Sequence, residues 1–414
     1  MINSSLLEKV IMDQARTFKE KDAGIGRDVD FEQYLKTKHI TVISGIRRSG
    51  KSTLLKQFSE RYSSFYYLNF DDERLIGFSV SDFQTLMVMF QKLFPANVIL
   101  LDEIQNVPKW ERFARRIFEE GYKIYLTGSN AKLLSSELAT HLTGRYLKLE
   151  LYPFSFKEFL SFHNFSYRGL TSKKEAGILR HFEHFIQAGG FPEFVTSGRR
   201  EIMEQIFEDI VYRDLIARFK IRETKNFKLL VNYVFTNFTG EASYNSIKNI
   251  LEFKSTTSVK NYIDFIQESY LAFELFKYDY SLKKQYVSNK KIYVIDNGLR
   301  NAVAFSNSPD TGKLLENTVF LELKRRGEEI YYYKGKNECD FITRQGMKIS
   351  EAIQVTKNID RDNEKRELEG LLEAMEKFKL KKGLIITENQ EEGKIVKSKK
   401  IKIIPAWKWL LEKK

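Results

Sequence analysis

A glycine-bearing stretch is the part of this chain whose residue types and spacing are best suited to chemistry. Residues Gly45 to Ser52 match the pattern G-x-x-x-x-G-K-[ST]. An apolar, β-branched run at 39–44 precedes them and a helical pattern at 53–58 follows, as strand, loop and helix. Main-chain amides of such a loop, with the positive end of the next helix, can hold a phosphate group. A glycine-bearing surface turn is the alternative interpretation.

The loop assigns roles to its own residues. Lys51 is expected to reach the β- and γ-phosphates of ATP, and Ser52 to place its hydroxyl on the Mg²⁺ that bridges them. ATP and Mg²⁺ are therefore the predicted cofactors. The residues predicted to bind the nucleotide are Gly45, Arg48, Ser49, Gly50, Lys51, Ser52 and Thr53.

Two acidic residues follow a second apolar run. Val98 to Leu101 reads as a strand covered on both faces, and Asp102 and Glu103 come directly after it. Ligands bind at the carboxyl ends of such strands. Asp102 is expected to hold Mg²⁺ through water, and Glu103 to orient and polarise the water that attacks the γ-phosphoryl group. A strand that ends in a solvated acidic turn is the alternative.

Polar residues near two further strands complete the predicted catalytic set. Thr127, Ser129 and Asn130 close a third strand, and one of them could contact the γ-phosphate or the lytic water. Arg145 could stabilise transition-state charge in its own subunit or in a neighbour's. Pairing of Arg145 with a carboxylate of the core is an equal alternative. The predicted catalytic residues are Lys51, Glu103, Asn130 and Arg145.

These segments, in this order, resemble a family of bacterial and archaeal AAA-type ATPases. The resemblance is carried by Gly45 to Thr53, Leu101 to Glu103, Leu126 to Ser129, Gly144-Arg145 and Gly189 to Glu193. It implies an α/β fold: a P-loop NTPase core with a parallel sheet, a helical lid with a winged helix, and a C-terminal α/β domain similar to restriction endonucleases. The expected domains are 1–155, 156–305 and 306–414.

The same resemblance gives a role to one residue of the expected lid. In related ATPases the proline of a Gly-x-Pro turn packs on the adenine ring, and Pro192 in Gly189 to Pro192 is expected to do so here. A plain interhelix turn is the alternative, and it needs no ligand.

Composition is consistent with several domains and excludes some classes of protein. A length of 414 residues suggests two or three domains. The single cysteine, Cys339, excludes a disulfide framework and a multi-cysteine zinc site. Residues 1–25 contain no continuous apolar stretch, so neither a secretory signal nor a membrane span is expected. The predicted location is the cytoplasm, with no membrane partner.

Positive charge gathers at the C-terminus. The net charge is +13, and residues 377–414 carry 12 of the lysines. A basic surface attracts polyanions through counterion release, so nucleic acid, either DNA or RNA, is the first candidate partner. A lysine-rich surface that serves only solubility is the alternative. A protein partner and an oligomer are also open.

Residues 241–295 predict two short helices followed by two strands. Ser243 to Ile250 reads as a helix, Ser255 caps the next one, and alternating segments at 272–278 and 291–295 follow. The pattern resembles a winged helix, whose second helix could enter a major groove while Lys283 and Lys284 contact phosphates. Protein contact or extension of the lid is the alternative.

Acidic residues of the C-terminal third resemble the PD-(D/E)xK nuclease arrangement, in which two carboxylates hold Mg²⁺ and a lysine orients water. Here Gln354 takes the second acidic position, Thr356 takes the lysine position, and Lys357 points to the other strand face. Only a β-bulge that shifts the alternation of side chains could bring Glu351 or Lys357 into this site. We therefore predict a nuclease-like fold without cleavage; an active nuclease and ordinary surface carboxylates are the alternatives. The candidate residues are Glu316, Asp340, Glu351, Gln354 and Lys357.

Three functions follow. The first is a Mg²⁺-dependent ATPase that couples nucleotide state to movement of the lid and winged helix, and to binding of DNA or a protein partner. The second is a nucleotide-gated, Mg²⁺-dependent DNase. The third is an ATP-binding switch with little turnover.

Overall fold

The computed structural model describes residues 2–129, 142–169, 171–304 and 310–412. The chain packs as two compact units, Met1–Tyr152 and Pro153–Lys414. The second unit contains both segments that the sequence separates at residue 305. The division into three domains stays a prediction. Among the helices in the described ranges, none has the length and apolarity needed to cross a membrane.

The first unit is built on a parallel sheet of five strands. The strands are β1 (Ile40–Ser44), β2 (Tyr66–Asn69), β3 (Val98–Asp102), β4 (Lys123–Gly128) and β5 (Tyr146–Glu150). Their spatial order is β2-β3-β4-β1-β5, and every neighbouring pair is parallel. All five residues of β1 and of β3 are buried, as expected for strands covered on both faces. The predicted α/β fold with a parallel core is confirmed.

Helices cover both faces of this sheet. They are α1 (Ser4–Glu20), α2 (Phe31–Lys36), α3 (Lys51–Ser59), α4 (Phe83–Leu93) and α5 (Trp110–Glu119). Val42 and Leu101 pack with α1, α4 and α5, whereas their neighbours Ile43 and Leu100 pack with α3. Successive strand residues thus serve opposite layers, because strand side chains alternate between faces.

The carboxyl ends of three strands lie at one edge of the sheet. Ser44 of β1 is paired with Gly128 of β4, and Leu101 of β3 with Leu126 of β4. The loop after β1 and the acidic pair at the end of β3 therefore start next to each other.

The second unit begins with helices. They are α6 (Phe156–Phe162), α7 (Ser172–Ala188), α8 (Pro192–Ser197), α9 (Arg200–Asp209), a π-helical segment (Ile210–Ala217) and α10 (Thr224–Thr236). A small region follows with β6 (Glu241–Ala242), α11 (Tyr244–Ile250), α12 (Thr256–Glu268), β7 (Ala272–Phe276), α13 (Leu282–Val287) and β8 (Lys290–Val294). Strand β8 lies between β6 and β7, antiparallel to both.

This small region contains the two helices and two strands that the sequence predicts after residue 241. The basic connection between the strands differs, because it contains the short helix α13. Lys260 and Asn261 of α12 are exposed, and Lys283 and Lys284 of α13 are exposed as well. Use of the region as a winged helix on DNA stays a prediction.

A mixed six-stranded sheet completes the second unit. Its elements are α14 (Asn297–Val303), α15 (Thr311–Arg325), β9 (Glu329–Lys334), β10 (Glu338–Gln345), β11 (Lys348–Val355), α16 (Glu364–Lys377), β12 (Lys382–Thr387), β13 (Glu392–Val396), β14 (Lys399–Pro405) and α17 (Ala406–Leu411). The strand order is β13-β14-β12-β11-β10-β9. Asn317 of α15 exchanges two hydrogen bonds of 3.0 Å with the backbone of Val294 in β8. These bonds join β8 of the small region to α15.

Candidate nucleotide-binding site

The loop between β1 and α3 has a backbone that depends on its glycines. A Cβ at Gly45 would lie 2.1 Å from the carbonyl oxygen of Leu151, so no side chain fits there. Gly50, directly before α3, has a φ of 93°, a left-handed conformation that glycine adopts without strain. Arg48 is also left-handed, with a φ of 67°. Left-handed residues within a turn let successive N–H groups form a concave anion site.

Lys51 brings a positive charge into this loop. Its side chain is only 5% exposed, and Nζ donates hydrogen bonds to the carbonyl oxygens of Gly45 at 3.1 Å and Ile46 at 3.0 Å. The buried hydroxyl of Ser49 has no hydrogen-bond partner within the part of the chain that the structure describes. A buried polar atom of this kind is expected to have a partner, so the loop fits a polyanionic ligand.

Asp102 ends β3 and is 1% exposed. Its carboxylate accepts hydrogen bonds from the hydroxyls of Thr127, Ser52 and, at 3.4 Å, Tyr67. Burial raises the pKa of Asp102 and the charge of Glu103 raises it further, while these hydroxyls and Lys51 oppose the rise. A bound cation would favour the ionised carboxylate.

Ser52 and Asp102 are the residues that fit Mg²⁺. They are hard oxygen ligands already in contact with each other. In the described ranges, no cluster of three or more His, Cys, Asp or Glu side chains could hold a metal ion. Mg²⁺ in nucleotide sites is held by one or two protein oxygens, phosphates and water, so this small ligand set is sufficient.

Glu103 lies in a left-handed conformation, with a φ of 51°, which is uncommon for a residue with a side chain. Its carboxylate accepts hydrogen bonds from Ser129 Oγ at 2.9 and 3.0 Å and from the amide of Gln105. Burial raises the pKa of Glu103, but the charges of Lys51 and Arg47 and these hydrogen bonds outweigh it and lower the pKa. The pKa values of the two adjacent carboxyls thus shift in opposite directions, a pattern typical of sites with divided roles.

Thr127 joins these two acidic residues. Its hydroxyl donates to Asp102 and accepts a hydrogen bond of 3.0 Å from the backbone N–H of Glu103. The sequence named Thr127, Ser129 and Asn130 without choosing among them. The structure brings Thr127 and Ser129 into contact with the acidic pair, and Asn130 lies outside the described residues.

Arg145 lies near the start of β1, and its predicted action in its own subunit stays a prediction. Its carbonyl oxygen accepts a hydrogen bond from Ile40 N, at the start of β1. The phosphate-binding loop follows the other end of β1, about 13 Å away for four residues of strand. Arg145 instead lies 3.6 Å from the carboxylate of Glu119. Action on a neighbouring subunit stays a prediction.

Arg27 is a residue of this region that the motif analysis did not find. It is 7% exposed, and its guanidinium donates hydrogen bonds of 2.7 Å to the carbonyl oxygens of Ser49 and Tyr152. Arg27 therefore holds the back of the loop in place. Its distance from the loop in sequence left no local pattern by which it could be recognised.

The remaining predicted nucleotide residues lie in two places. Thr53 is in the first turn of α3, half-buried. Pro192 is the first residue of α8 in the second unit, a position where proline is favoured because its missing N–H needs no partner. The contact of Pro192 with adenine stays a prediction.

Two of the candidate nuclease-like residues meet at a lysine. The side chain of Lys291 in β8 is 5% exposed, and its Nζ lies 3.2 Å from Glu316, 3.1 Å from Asp340 and 2.7 Å from Glu338. Tyr293 donates a hydrogen bond of 2.7 Å to Glu316. An ammonium group thus lies where a cation that bridges these carboxylates would be bound.

The other candidate residues are engaged elsewhere. Gln354 accepts a hydrogen bond from the backbone N–H of Asp340 at 3.4 Å and donates one to Glu367 at 2.9 Å. Glu351 lies three residues earlier on β11, on the opposite face by strand alternation. Lys357 pairs with Glu388 at 3.9 Å. The register shift of β10 against β11 falls between Thr343 and Arg344, so it does not bring Glu351 or Lys357 to Asp340.

Comparisons with known proteins agree with the geometry of the first unit. A family model described as an AAA domain matches residues 37–160. Two domains of unknown function, DUF8612 and DUF4143, match residues 179–310 and 311–409. The AMPPCP-bound DnaA of Aquifex aeolicus aligns with 57% of this chain and 85% of its own, at 16% identity and a TM-score of 0.26. A TM-score this low supports no inference about the chain.

Two relatives have a higher sequence identity and match over nearly the whole length of both chains. The uncharacterized protein MJ1544 of Methanocaldococcus jannaschii is 37% identical over 99% of this chain and 96% of its own. An uncharacterized protein of Haemophilus influenzae is 31% identical over 92% of this chain and 96% of its own. The chain belongs to the family of these two proteins, with an AAA domain followed by two domains of unknown function.

Proposed function

We propose that this protein is a Mg²⁺-dependent ATPase. The observation that supports it is the meeting of Lys51, Ser52, Asp102 and Glu103 at one edge of a parallel sheet. The first two belong to a phosphate-binding loop and the last two to the neighbouring strand. This is the arrangement that P-loop enzymes use to hold a triphosphate and the water that attacks it.

Each residue of the site has a task in this proposal. The loop amides and Lys51 bind the β- and γ-phosphates, and Ser52 and Asp102 hold Mg²⁺ with its waters. Mg²⁺, when bound, neutralises charge on the phosphates. Glu103 is ionised and fixed by Ser129 and Gln105, so it can orient the attacking water. Thr127 is a positioning residue, because it acts through Asp102 and Glu103.

The test compares ATP binding with ATP turnover in three variants. We expect Lys51→Ala to lose ATP affinity by about 100-fold, because the phosphates lose their only ammonium partner in the loop. Glu103→Gln should bind ATP but release phosphate at least about 100-fold more slowly. Glu8→Gln, an exposed change on α1, is the matched control and should behave like the wild type.

The outcomes separate the proposal from its alternatives. Wild-type protein that binds ATP without steady-state phosphate release would be the switch with little turnover. Unchanged affinity in Lys51→Ala would mean that the phosphate site is elsewhere. Equal phosphate release by Glu103→Gln and the wild type would remove Glu103 from the reaction.

We propose in addition that duplex DNA is the partner of the second unit. The observation that favours it is a lysine ladder, which we define as Lys382 of β12 with Lys400 and Lys402 of β14. Lys382 is paired directly with Lys400, and both are exposed. Neither forms an ion pair with any residue in the described ranges, whereas Lys402 lies 3.3 Å from Glu412. Like charges on paired strands destabilise a sheet, and a polyanion bound on the ladder would remove that repulsion.

DNA cleavage is not part of the proposal. The ammonium group of Lys291 already bridges Glu316 and Asp340, the two carboxylates on which a nuclease site would depend. These contacts disfavour cleavage, so the function that we propose for the second unit is binding of DNA alone.

A further inference from the structure

A cleft of about 400 Å³ opens beside β2, the edge strand of the parallel sheet. This volume is in the range of small-molecule sites. Its wall is formed by α1, β2 and the end of α4. The apolar and aromatic side chains along it include Ile11, Tyr66, Tyr67, Phe90, Leu93 and Phe94.

The aromatic wall is rigid in the free protein. The rings of Tyr66 and Phe90 stack with centroids 4.7 Å apart. The hydroxyl of Tyr66 donates a hydrogen bond of 2.8 Å to the carbonyl oxygen of Phe94 and accepts one of 3.1 Å from Ala96 N. Tyr67 stacks on Phe18 at 3.8 Å. A preformed wall lowers the entropy that binding would otherwise lose.

Two positive charges stand at this cleft. Arg16 and Lys19 line it and are exposed, and their spacing of three residues puts them on one face of α1. Neither forms an ion pair with any residue that the structure describes. Met12, on the same face of α1, also lines the cleft and is 57% exposed. The cleft thus combines an exposed apolar surface with an unneutralised positive rim.

We propose that this cleft binds an amphiphile with an apolar tail and a single anionic head. The tail lies against the aromatic wall, where burial of apolar surface stabilises the complex. The head lies between the guanidinium of Arg16 and the ammonium of Lys19, which bind an anion by charge-assisted hydrogen bonds. A free alkyl carboxylate and an anionic lipid share this chemistry.

The cleft is connected to the candidate ATPase site through Tyr67, and this step rests on the proposed function. Tyr67 lines the cleft, and its hydroxyl lies 3.4 Å from Oδ2 of Asp102. For Asp102 to turn its full charge to Mg²⁺, the hydroxyl of Tyr67 must move off this carboxylate, and an occupant that packs against Tyr67 opposes that movement. Asp102 then offers less free charge to Mg²⁺ and its waters, so occupancy lowers ATP turnover.

Binding is tested first, by calorimetry on the full chain without nucleotide. Dodecanoate below its micelle concentration is expected to bind at one saturable site. Dodecyltrimethylammonium, with the same tail and the opposite charge, and acetate, with the head alone, are expected not to bind. Equal binding of dodecyltrimethylammonium would overturn the proposal, because the positive rim would then play no part.

Variants locate the site. Replacement of Arg16 and Lys19 together by Ala should weaken dodecanoate binding about tenfold or more, the effect of losing two charged partners. Ala15→Trp should abolish it by filling the cleft, which Ala15 lines. Lys9→Ala removes a charge from α1 outside the cleft and is the control. Unchanged binding in Ala15→Trp would place the ligand elsewhere and overturn the proposal.

Two further measurements assign the source of the ligand and the coupling. Sedimentation with anionic vesicles that is lost in the Arg16 and Lys19 variant would identify a bilayer lipid, whereas its absence would identify a free amphiphile. Dodecanoate should lower the ATPase rate of the wild type but leave the rate of Tyr67→Phe unchanged relative to that variant without ligand. If the protein binds dodecanoate but has no ATPase activity, the proposed ATPase function is contradicted, whereas the proposed amphiphile site is supported.

Discussion

The hydroxyl of Thr127 contacts both acidic residues of the candidate nucleotide-binding site. It contacts both the carboxylate of Asp102, to which we assign the binding of Mg²⁺, and the backbone of Glu103, to which we assign the orientation of the attacking water. Glu103 also has a left-handed backbone, which neighbouring contacts must hold in place. The position of the Glu103 carboxylate therefore depends on the hydroxyl of Thr127, which contacts the Glu103 backbone.

We predict that Thr127→Val lowers ATP turnover more than ATP affinity. The substitution keeps the shape of the side chain but leaves two polar partners unsatisfied, which costs about 1–3 kcal/mol. If that loss falls on the transition state, turnover falls by about 10- to 100-fold. Phosphate release and ATP affinity measured side by side give the answer. Thr127→Ser keeps the hydroxyl and should restore most of the rate, and a fully active Thr127→Val would contradict the role.

The residues that sequence could predict are those whose partners are close in the chain. Gly45 to Ser52 and the pair Asp102-Glu103 each form one strand end with its loop, so the local pattern carries the chemistry. Arg27 contacts Tyr152, 125 residues away, and Lys291 contacts Asp340, 49 residues away. Only the folded chain brings such partners together. The same reason separates Arg145, near in sequence to β5, from the loop at the far end of the sheet.

At the scale of elements, the ion pairs of Lys291 connect β8 with α15 and β10. One buried ammonium faces three carboxylates, and burial raises the pKa of Glu316 while Lys291 opposes the rise. Removing one partner of a buried ion pair leaves uncompensated charge, whereas the intact pair contributes little to net stability. These elements can therefore pack together only if the charges of the cluster remain paired.

We predict that Lys291→Ala destabilises the protein by about 3–5 kcal/mol, the cost of leaving buried charge unpaired. The vacated carboxylates should then attract a divalent cation, so Mn²⁺ should raise the Tm of Lys291→Ala and leave the wild type unchanged. Thermal unfolding with and without Mn²⁺ measures both effects. Adding Asp340→Asn to Lys291→Ala removes a ligand and should abolish the response to Mn²⁺. A stable Lys291→Ala that ignores Mn²⁺ would refute this account of the cluster.

Three histidines form a second group of titratable residues, where α6 ends and α7 passes. The ring of His163 lies 5.2 Å from that of His181 and 6.3 Å from that of His184, measured between centroids. Burial lowers the pKa of His163 and His181, and the charges of the neighbouring imidazoles lower both further. A histidine whose pKa is lower in the folded state stabilises the fold above its unfolded pKa, near 6.5, and loses that contribution as the pH falls through this range.

We predict that the Tm of the second unit falls between about pH 7 and pH 5 and falls less steeply in His181→Gln. Glutamine keeps a polar side chain but binds no proton in this range. Calorimetric scans at several pH values measure how the Tm of the second unit depends on pH. The unfolding transition of the first unit is identified separately, by its shift when ATP is added. His39→Gln, in the first unit, is the control. Identical slopes for His181→Gln and the wild type would show that the cluster does not control stability.

At the scale of the whole molecule, local sequence patterns predict elements and their order, whereas the grouping of elements depends on contacts between distant residues. The parallel core could be predicted from the sequence, because apolar runs and loop motifs recur in strand–helix order from 39 to 150. The division of the rest at residue 305 stays a prediction, and the contacts of Asn317 and Lys291 join the segments before and after this point within one compact unit. These contacts arise between residues without a local pattern, so no boundary signal marks them.

The last prediction concerns the lysine ladder and DNA. Duplex DNA should raise the ATPase rate, and its affinity should fall steeply with salt, because each neutralised phosphate releases a counterion. Replacing Lys382 and Lys400 by Ser should lower the slope of log affinity against log salt by about 2, that is, by about 0.9 for each lost contact. Fluorescence anisotropy with a labelled duplex, over a range of salt, measures this slope.

Two matched variants decide which surface is responsible. Replacing Lys283 and Lys284 by Ser removes two positive charges from α13, in the connection between β7 and β8. Replacing Lys313 and Lys365 by Ser removes two positive charges from exposed positions on α15 and α16. Net charge changes equally in all three pairs, so a general effect of charge lowers every slope alike. If only the Lys382 and Lys400 variant has a smaller salt slope, the DNA contact lies on the lysine ladder. If only the Lys283 and Lys284 variant has a smaller salt slope, the contact lies on the connection between β7 and β8. Unchanged ATPase rates with DNA at every salt concentration would instead direct the search to a protein partner, because a partner that responds to nucleotide state must alter turnover when it binds.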